Sequence, residues 1–326
     1  MKAIVCKGWG EPKDLVYEDA APPGLAAGEV RVALRAAGVN FADTLMIAGK
    51  YQEKPAFPFS PGLEYAGVVA ELGPEVAGLK PGDRVMGFAR FGCFADEVAV
   101  PASQAFKIPD AMEFATAAAF PVAYGTSHMA LVQRAKLKPG EFLLVNGASS
   151  GVGLTAVEIG AALGARVIAT ASSPEKLATA KRYGAEFGID YARENIRERV
   201  KTLTDGHGAD VIYDPVGGDA FDASLRSIAF SGRYLVIGFA SGRIPEAPAN
   251  YILIKNCDVM GVLWGNVARR EPKQAAASYA ELLGWYEAGK LKPFVSRSFP
   301  LARAAEALEL MKARKITGKL VVTMGA

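Results

Sequence analysis

The sequence predicts an α/β protein in which a doubly wound parallel sheet is inserted into a second, β-rich domain. Three observations lead there. Short, partly alternating apolar runs broken by Gly/Pro turns fill residues 1–122. From residue 141 onward, apolar runs alternate with helix-periodic stretches, the rhythm of parallel strands covered on both faces. The closing "GKLVVTM" (318–324) resembles the strands of the opening region more than another alternating unit, so the chain returns to the domain in which it began.

The elements follow in order. "MKAIVCKGWG" at the N-terminus reads as a first strand; it lacks the apolar core and cleavage site of a signal peptide. "EVRVALRAAGV" (29–39), "LEYAGVVAEL" (63–72), "DRVMGF" (83–88) and "FADEVAV" (94–100) are strands separated by turn-formers such as "APPG" and "LGPEVAGLKPG". Between the first two, "VNFAD" lets Asn40 cap a helix from Phe41, with Asp43 in its first turn. After Pro121 come the strands "EFLLV" (141–145), "RVIAT" (166–170), "EFGI" (186–189), "ADVIYD" (209–214), "GRYLVIGF" (232–239) and "CDVMGV" (257–262). Helices are predicted over 152–164 and 173–184, then amphipathic ones over 272–289 and 301–315. No internal repeat stands out, although "FATAAAFPVA" is rich in alanine.

Composition narrows the function. The 326 residues suffice for two cores, and 51% hydrophobic with 22% charged residues is ordinary for a globular chain. The net charge of +3 is spread along the chain without the basic block that nucleic-acid or anionic-membrane binding needs. The longest apolar stretches, about ten residues, are too short to span a bilayer. Cys6, Cys93 and Cys257 are odd in number and far apart, which suggests neither a disulfide framework nor a cysteine-rich zinc site, and makes the cytoplasm the expected compartment.

One loop carries the chemistry. "VNGASSGVG" (145–153) contains G-x-S-x-G, the turn that presents a hydrolase nucleophile, and also resembles a glycine-rich phosphate cradle. A nucleophilic Ser149 needs a histidine base further along the chain, and only His207 follows, in "TDGHGAD", which reads as a plain turn. The cradle fits better. Small residues at 148, 150, 151 and 153 let the helix start close to the strand, so free N–H groups and the helix dipole favour a pyrophosphate. The loop departs from G-x-G-x-x-G at two positions; its weight comes from the strand–helix alternation around it. At the tip of the next strand, "TASSPEK" offers hydroxyls and Lys176 where an NAD-binding domain places a carboxylate. That suits a 2′-phosphate, hence NADPH. Ser173 as a helix cap and Lys176 as a solvated helix residue is an equal reading, and both can hold together.

Here the sequence resembles the zinc-free medium-chain dehydrogenases/reductases of the quinone oxidoreductase family, over nearly its whole length. The matching stretches are "AAGVNFADTLMIAGKY" (36–51), "PGLEYAGVV" (61–69), "GLKPGDRV" (78–85), "AAAFPVAYGTS" (117–127), "GASSGVGLTAVEIGAALGA" (147–165) and "GKLVV" (318–322). The resemblance implies a GroES-like catalytic domain over 1–122 and 262–326, a Rossmann NADPH-binding domain over 123–261, a cleft between them and a homodimer. It also implies cofactor contacts from Asn40, Tyr51, Thr126, Ser150, Gly151, Val152, Ser172, Lys176, Tyr191, Gly238, Phe239, Ala240, Leu263, Trp264 and Lys319. Zinc-dependent relatives carry Cys where this chain has Asn40 and His where it has Leu63; Glu64 remains, and one carboxylate is no metal site. Without a Lewis acid, activated acceptors such as quinones and enones are better served than simple alcohols.

The expected activity is therefore hydride transfer from NADPH to a small apolar quinone or enone, with Asn40, Asp43 and Tyr51 as candidate catalytic residues. Tyr51 is a candidate acid, although some relatives carry a tyrosine where this chain has Leu45; Asn40 and Asp43 are orienters or helix-capping residues. Tyr51, Phe91, Phe94, Phe239 and Trp264 are expected to line an apolar pocket in part, core packing being the alternative for each. Two other functions stand beside this one: a non-catalytic NADPH-binding structural or regulatory protein, and an alcohol dehydrogenase of the zinc type.

Overall fold

The computed structural model describes residues 1–314 and 316–325. Lys315, the last residue of the helix predicted over 301–315, and Ala326 lie outside the described residues. The chain divides into two compact units. One comprises Met1–Val122, Gly265–Ala288 and Lys292–Ala326; the other comprises Ala123–Trp264 and Gly289–Leu291.

The first unit opens with β1 (Lys2–Val5) and β2 (Val16–Asp19), which pair antiparallel. Then come β3 (Glu29–Val39), α1 (Phe41–Ile47), β4 (Glu64–Leu72), β5 (Arg84–Phe88), β6 (Glu97–Pro101), β7 (Ala105–Lys107) and α2 (Phe114–Ala118). The period-2 pattern of β3 buries Val30, Val32, Leu34 and Ala36 on one face. At its far end Ala36–Val39 are buried on both faces because α2 packs over them, which is why alternation fails there.

The chain continues through α3 (Pro121–His128) and a π-helical turn, Met129–Arg134. The second unit then alternates β8 (Phe142–Val145), α4 (Gly151–Ala162), β9 (Arg166–Ala171), α5 (Pro174–Arg182), β10 (Phe187–Asp190), α6 (Ile196–Leu203), β11 (Ala209–Asp214), α7 (Gly218–Leu225), β12 (Ile228–Val236), α8 (Ala249–Lys255) and β13 (Asp258–Gly261). Its strands are all parallel, in the order β10-β9-β8-β11-β12-β13. Numbered within this sheet the order is 3-2-1-4-5-6, the Rossmann arrangement, which reverses direction between β8 and β11. β12 starts four residues before the predicted Gly232, since Ile228 already pairs with Ala209 across a register shift at Ala209/Val211.

The chain closes with α9 (Trp264–Arg270), α10 (Pro272–Glu287), β14 (Val295–Pro300), α11 (Ala304–Lys312) and β15 (Lys319–Thr323). As expected, β15 returns to the first unit, antiparallel to β3, in the sheet β14-β15-β3-β4-β5-β7 with β6 also paired to β3. α11 is shorter than its periodicity predicts: a 3₁₀ turn occupies Leu301–Arg303, and Arg314 turns left-handed at φ 55°. The α/β class with an inserted Rossmann sheet stands as predicted. Among the described residues no helix is long and apolar enough to cross a membrane.

Candidate active site

In the second unit, every residue that the sequence singled out on a loop after a strand sits at the carboxyl ends of the parallel strands, where open α/β sheets bind ligands. Gly147 turns the chain at φ 58°, and Ser150 caps α4, its Oγ accepting from the Gly153 N–H at 3.1 Å. Ser150 N–H donates to the Gly147 carbonyl and Leu154 N–H to the Ser150 carbonyl. The N–H groups of Gly151 and Val152 are left without an acceptor among the described residues. Gly153 has to be glycine: a Cβ there would stand 2.2 Å from the Gly147 carbonyl oxygen. A buried hydroxyl network holds this first turn from beneath. Ser127 Oγ lies 3.1 Å from the Val152 carbonyl, 2.8 Å from Thr155 Oγ1 and 2.9 Å from the Tyr213 hydroxyl. No sequence pattern announces that network, whose members are far apart along the chain.

The serine-nucleophile reading fails on topology. Ser149 follows the carboxyl end of β8, His207 precedes the amino end of β11, and these strands are parallel neighbours. The two side chains therefore lie beyond opposite ends of the sheet, and His207 pairs instead with Asp210 at 2.7 Å.

At the tip of β9, Lys176 Nζ donates to Ser172 Oγ at 3.2 Å, while Ser173 Oγ caps α5 by accepting from Lys176 N–H at 3.4 Å. Capping and a cation beside a hydroxyl thus occur together. Tyr191 follows neighbouring β10, its N–H bonded to the Ala171 carbonyl and its side chain exposed. After β11 and β12, the turn at Gly217 (φ 67°) lies against Phe239, and Ala240 N–H donates to the Pro215 carbonyl. Gly238 and Ala240 are half-buried, and Phe239 and Leu263 are exposed. Thr126 is buried on α3. Trp264 is buried too, its indole against Gly125, where a Cβ would approach Nε1 to 2.4 Å.

In the first unit, a polar cluster forms where three neighbouring strands end together. Leu320 of β15 pairs with Val39 of β3, and Gly38 pairs with Glu64 of β4. Lys319 Nζ donates to Glu64 Oε1 at 2.6 Å, Asn40 Oδ1 at 2.8 Å and the Val39 carbonyl at 3.1 Å. Asn40 Nδ2 donates to Glu64 Oε1 at 2.8 Å, and Val122 N–H to Glu64 Oε2 at 2.7 Å. Asp43 accepts from Asn40 N–H at 2.8 Å, closing the start of α1. Asp43 is fully buried, and that burial pushes its carboxyl up to about 7 against the pull of Asn40 N–H and of Lys319. Half-buried Tyr51 is pushed upward first by burial and then by the charge of Asp43. Of the aromatic residues expected around a pocket, Phe94 is instead enclosed in the core, its ring 2.7 Å from where a Cβ on Gly62 would be. Phe91 is exposed.

The sheet order, the glycine turn and the open amides at the start of α4 define a dinucleotide-binding domain. Residues 26–110 match the alcohol dehydrogenase GroES-like domain and residues 151–281 the zinc-binding dehydrogenase family. A quinone oxidoreductase-like protein 2 homolog from Nematostella vectensis is 44% identical over 325 residues, 98% of this chain and 88% of its own. The quinone oxidoreductase of Pseudomonas aeruginosa is 36% identical over 98% of this chain and 99% of its own. Escherichia coli quinone oxidoreductase, solved complexed with NADPH, superposes with a TM-score of 0.93 at 29% identity, covering 99% of this chain and 100% of that one. The chain belongs to the medium-chain dehydrogenase/reductase family, within its quinone oxidoreductase group. Among the described residues no three His, Cys, Asp or Glu side chains converge as metal ligands, and the Lys319 ammonium stands against Glu64.

Proposed function

We propose that the chain is an NADPH-dependent oxidoreductase that passes hydride to a quinone or to the β-carbon of an enone, without zinc. The observation that carries this reading is the Lys176–Ser172 pair at the tip of β9, a cation and hydroxyls at the position where a carboxylate would select NADH. NADPH supplies the hydride; the chain binds, orients and excludes water. The free N–H groups of Gly151 and Val152, with Ser150 shaping the turn, hold the pyrophosphate. Ser172, Lys176 and Tyr191 take the 2′-phosphate. Thr126, Gly238, Phe239, Ala240 and Leu263 contact the nicotinamide half, and Trp264 braces α3 at Gly125. Asn40 and Asp43 orient. Once hydride has added to the β-carbon of an enone, the Tyr51 phenol or water would deliver the proton to the α-carbon.

All three cysteines are free and buried, which accords with a reducing compartment such as the cytoplasm. A homodimer is part of the reading. β13 ends the parallel sheet among the described residues, and Phe230, Leu253 and Ile254 around β12 and α8 are 70%, 80% and 69% exposed.

Fluorescence titration with NADPH and NADH tests the cofactor. Lys176→Ala should weaken NADPH by about 1–3 kcal/mol, roughly fivefold to 150-fold, and leave NADH unchanged. Equal loss with both cofactors would make Lys176 a surface residue. A panel of quinones and enones then tests turnover: tight NADPH binding with no acceptor consumed marks a binding protein. Stoichiometric zinc in the purified chain would overturn the metal-free reading.

A further inference from the structure

We infer that Lys319 and Glu64 are a positioning pair: the buried ammonium fills an oxygen cage and fixes the Asn40 carboxamide, leaving one Nδ2–H for a ligand carbonyl. An ammonium has three N–H donors. Lys319 gives all three to protein oxygens, those of Glu64, Asn40 and Val39. Its side chain is 6% exposed and that of Glu64 is fully buried. No donor remains for a cofactor phosphate, so the expected Lys319 contact with the cofactor becomes an effect exerted through Asn40.

Both ends of the Asn40 amide are read by charge. Oδ1 accepts from the ammonium at 2.8 Å and Nδ2 donates to the carboxylate at 2.8 Å. A flipped amide would set its NH₂ against Lys319 and its oxygen against Glu64, unfavourable at both ends. The second Nδ2 hydrogen has no acceptor among the described residues, and Asn40 is half-buried rather than enclosed. Backbone fixes the cage in turn. Glu64 Oε2 takes the Val122 N–H, and Gly38 leaves room that a Cβ, 2.2 Å from Glu64 Oε1, would fill. Lys319 begins a strand bonded to β3, so a divalent cation would have to displace an ammonium tethered to the sheet.

The inference rests on the oxidoreductase reading only for the ligand, a carbonyl of either the nicotinamide carboxamide or the acceptor. The test compares full-length Lys319→Met, Asn40→Ala and the double variant by NADPH affinity and by steady-state kinetics with a quinone. Each single variant is expected to lose tenfold to a hundredfold in the same parameter, and the double variant no more than the worse single one. Loss in NADPH affinity assigns the carbonyl to the cofactor; loss in acceptor KM or kcat at unchanged affinity assigns it to the acceptor. Multiplying losses, or an NADPH defect in Lys319→Met that Asn40→Ala lacks, overturn the inference. Should Lys319→Met not fold, Glu64→Gln combined with Lys319→Met removes both charges and should fold with the same kinetic defect; wild-type kinetics there also overturn it. If the wild-type chain proves inactive, the oxidoreductase reading fails by itself. The Asn40 side-chain amide is then followed by NMR. Its two proton shifts should be widely dispersed in the wild type and should converge in the charge-free pair; shifts unmoved between the two count against the pair.

Discussion

At Asp43, burial outweighs hydrogen bonding. One ammonium serves two buried carboxylates. Glu64 holds it directly, and Asp43 keeps its proton to about pH 7 instead of the ordinary 3.8. Between those values the unfolded chain has released a proton that the native chain retains. The stability contributed by this residue is therefore full below pH 3.8, falls as pH rises, and is lost above about 7. Asp43→Asn removes the dependence while its side-chain oxygen can still accept from Asn40 N–H. The melting temperature of the variant relative to the parent should climb from pH 5 to pH 7.5 and then level off. A difference flat across that range would place the titration elsewhere.

Among the elements, α4 and the loop before it depend on two glycines with unequal neighbours. At Gly153 a Cβ meets a backbone oxygen at 2.2 Å; at Gly160 it meets Leu143 Cδ2, the far end of a flexible side chain, at 2.5 Å. Backbone cannot yield without moving the turn, whereas a leucine can change rotamer. Gly160→Ala should therefore cost about 1–2 kcal/mol in chemical denaturation with NADPH affinity preserved, and Gly153→Ala about 2–3 kcal/mol with NADPH affinity lost. Equal effects on affinity would remove the loop from the cofactor site. The strand "FLLV" and the helix "GVGLTAVEIGAA" are legible locally, from an apolar run and helical periodicity, whereas the Ser150 cap is seen only in the structure. The hydroxyls of Ser127, Thr155 and Tyr213 beneath the turn are not legible, because a buried serine or tyrosine carries no periodic signature.

For the whole molecule, the open edge at β13 is the feature to probe. Leu253 lies on α8, a helix with no buried residue, and is 80% exposed. Apolar side chains beside an unpaired strand edge favour association. If the proposed homodimer forms through this face, Leu253→Arg halves the mass measured by analytical ultracentrifugation while leaving NADPH affinity intact. A mass that does not change would move any interface elsewhere.

Local patterning carries the parallel alternation, the turn at 145–153 and the hydroxyls and lysine at the tip of β9. All of these depend on residues a few positions apart, where periodicity, capping and turn chemistry act. Tertiary structure decided what depends on register. Only the pairing of Gly38 with Glu64 and of Val39 with Leu320 brings Lys319 within reach of a carboxylate 255 residues earlier. That contact consumes the lysine's donors, and no run of sequence around either residue could have announced it.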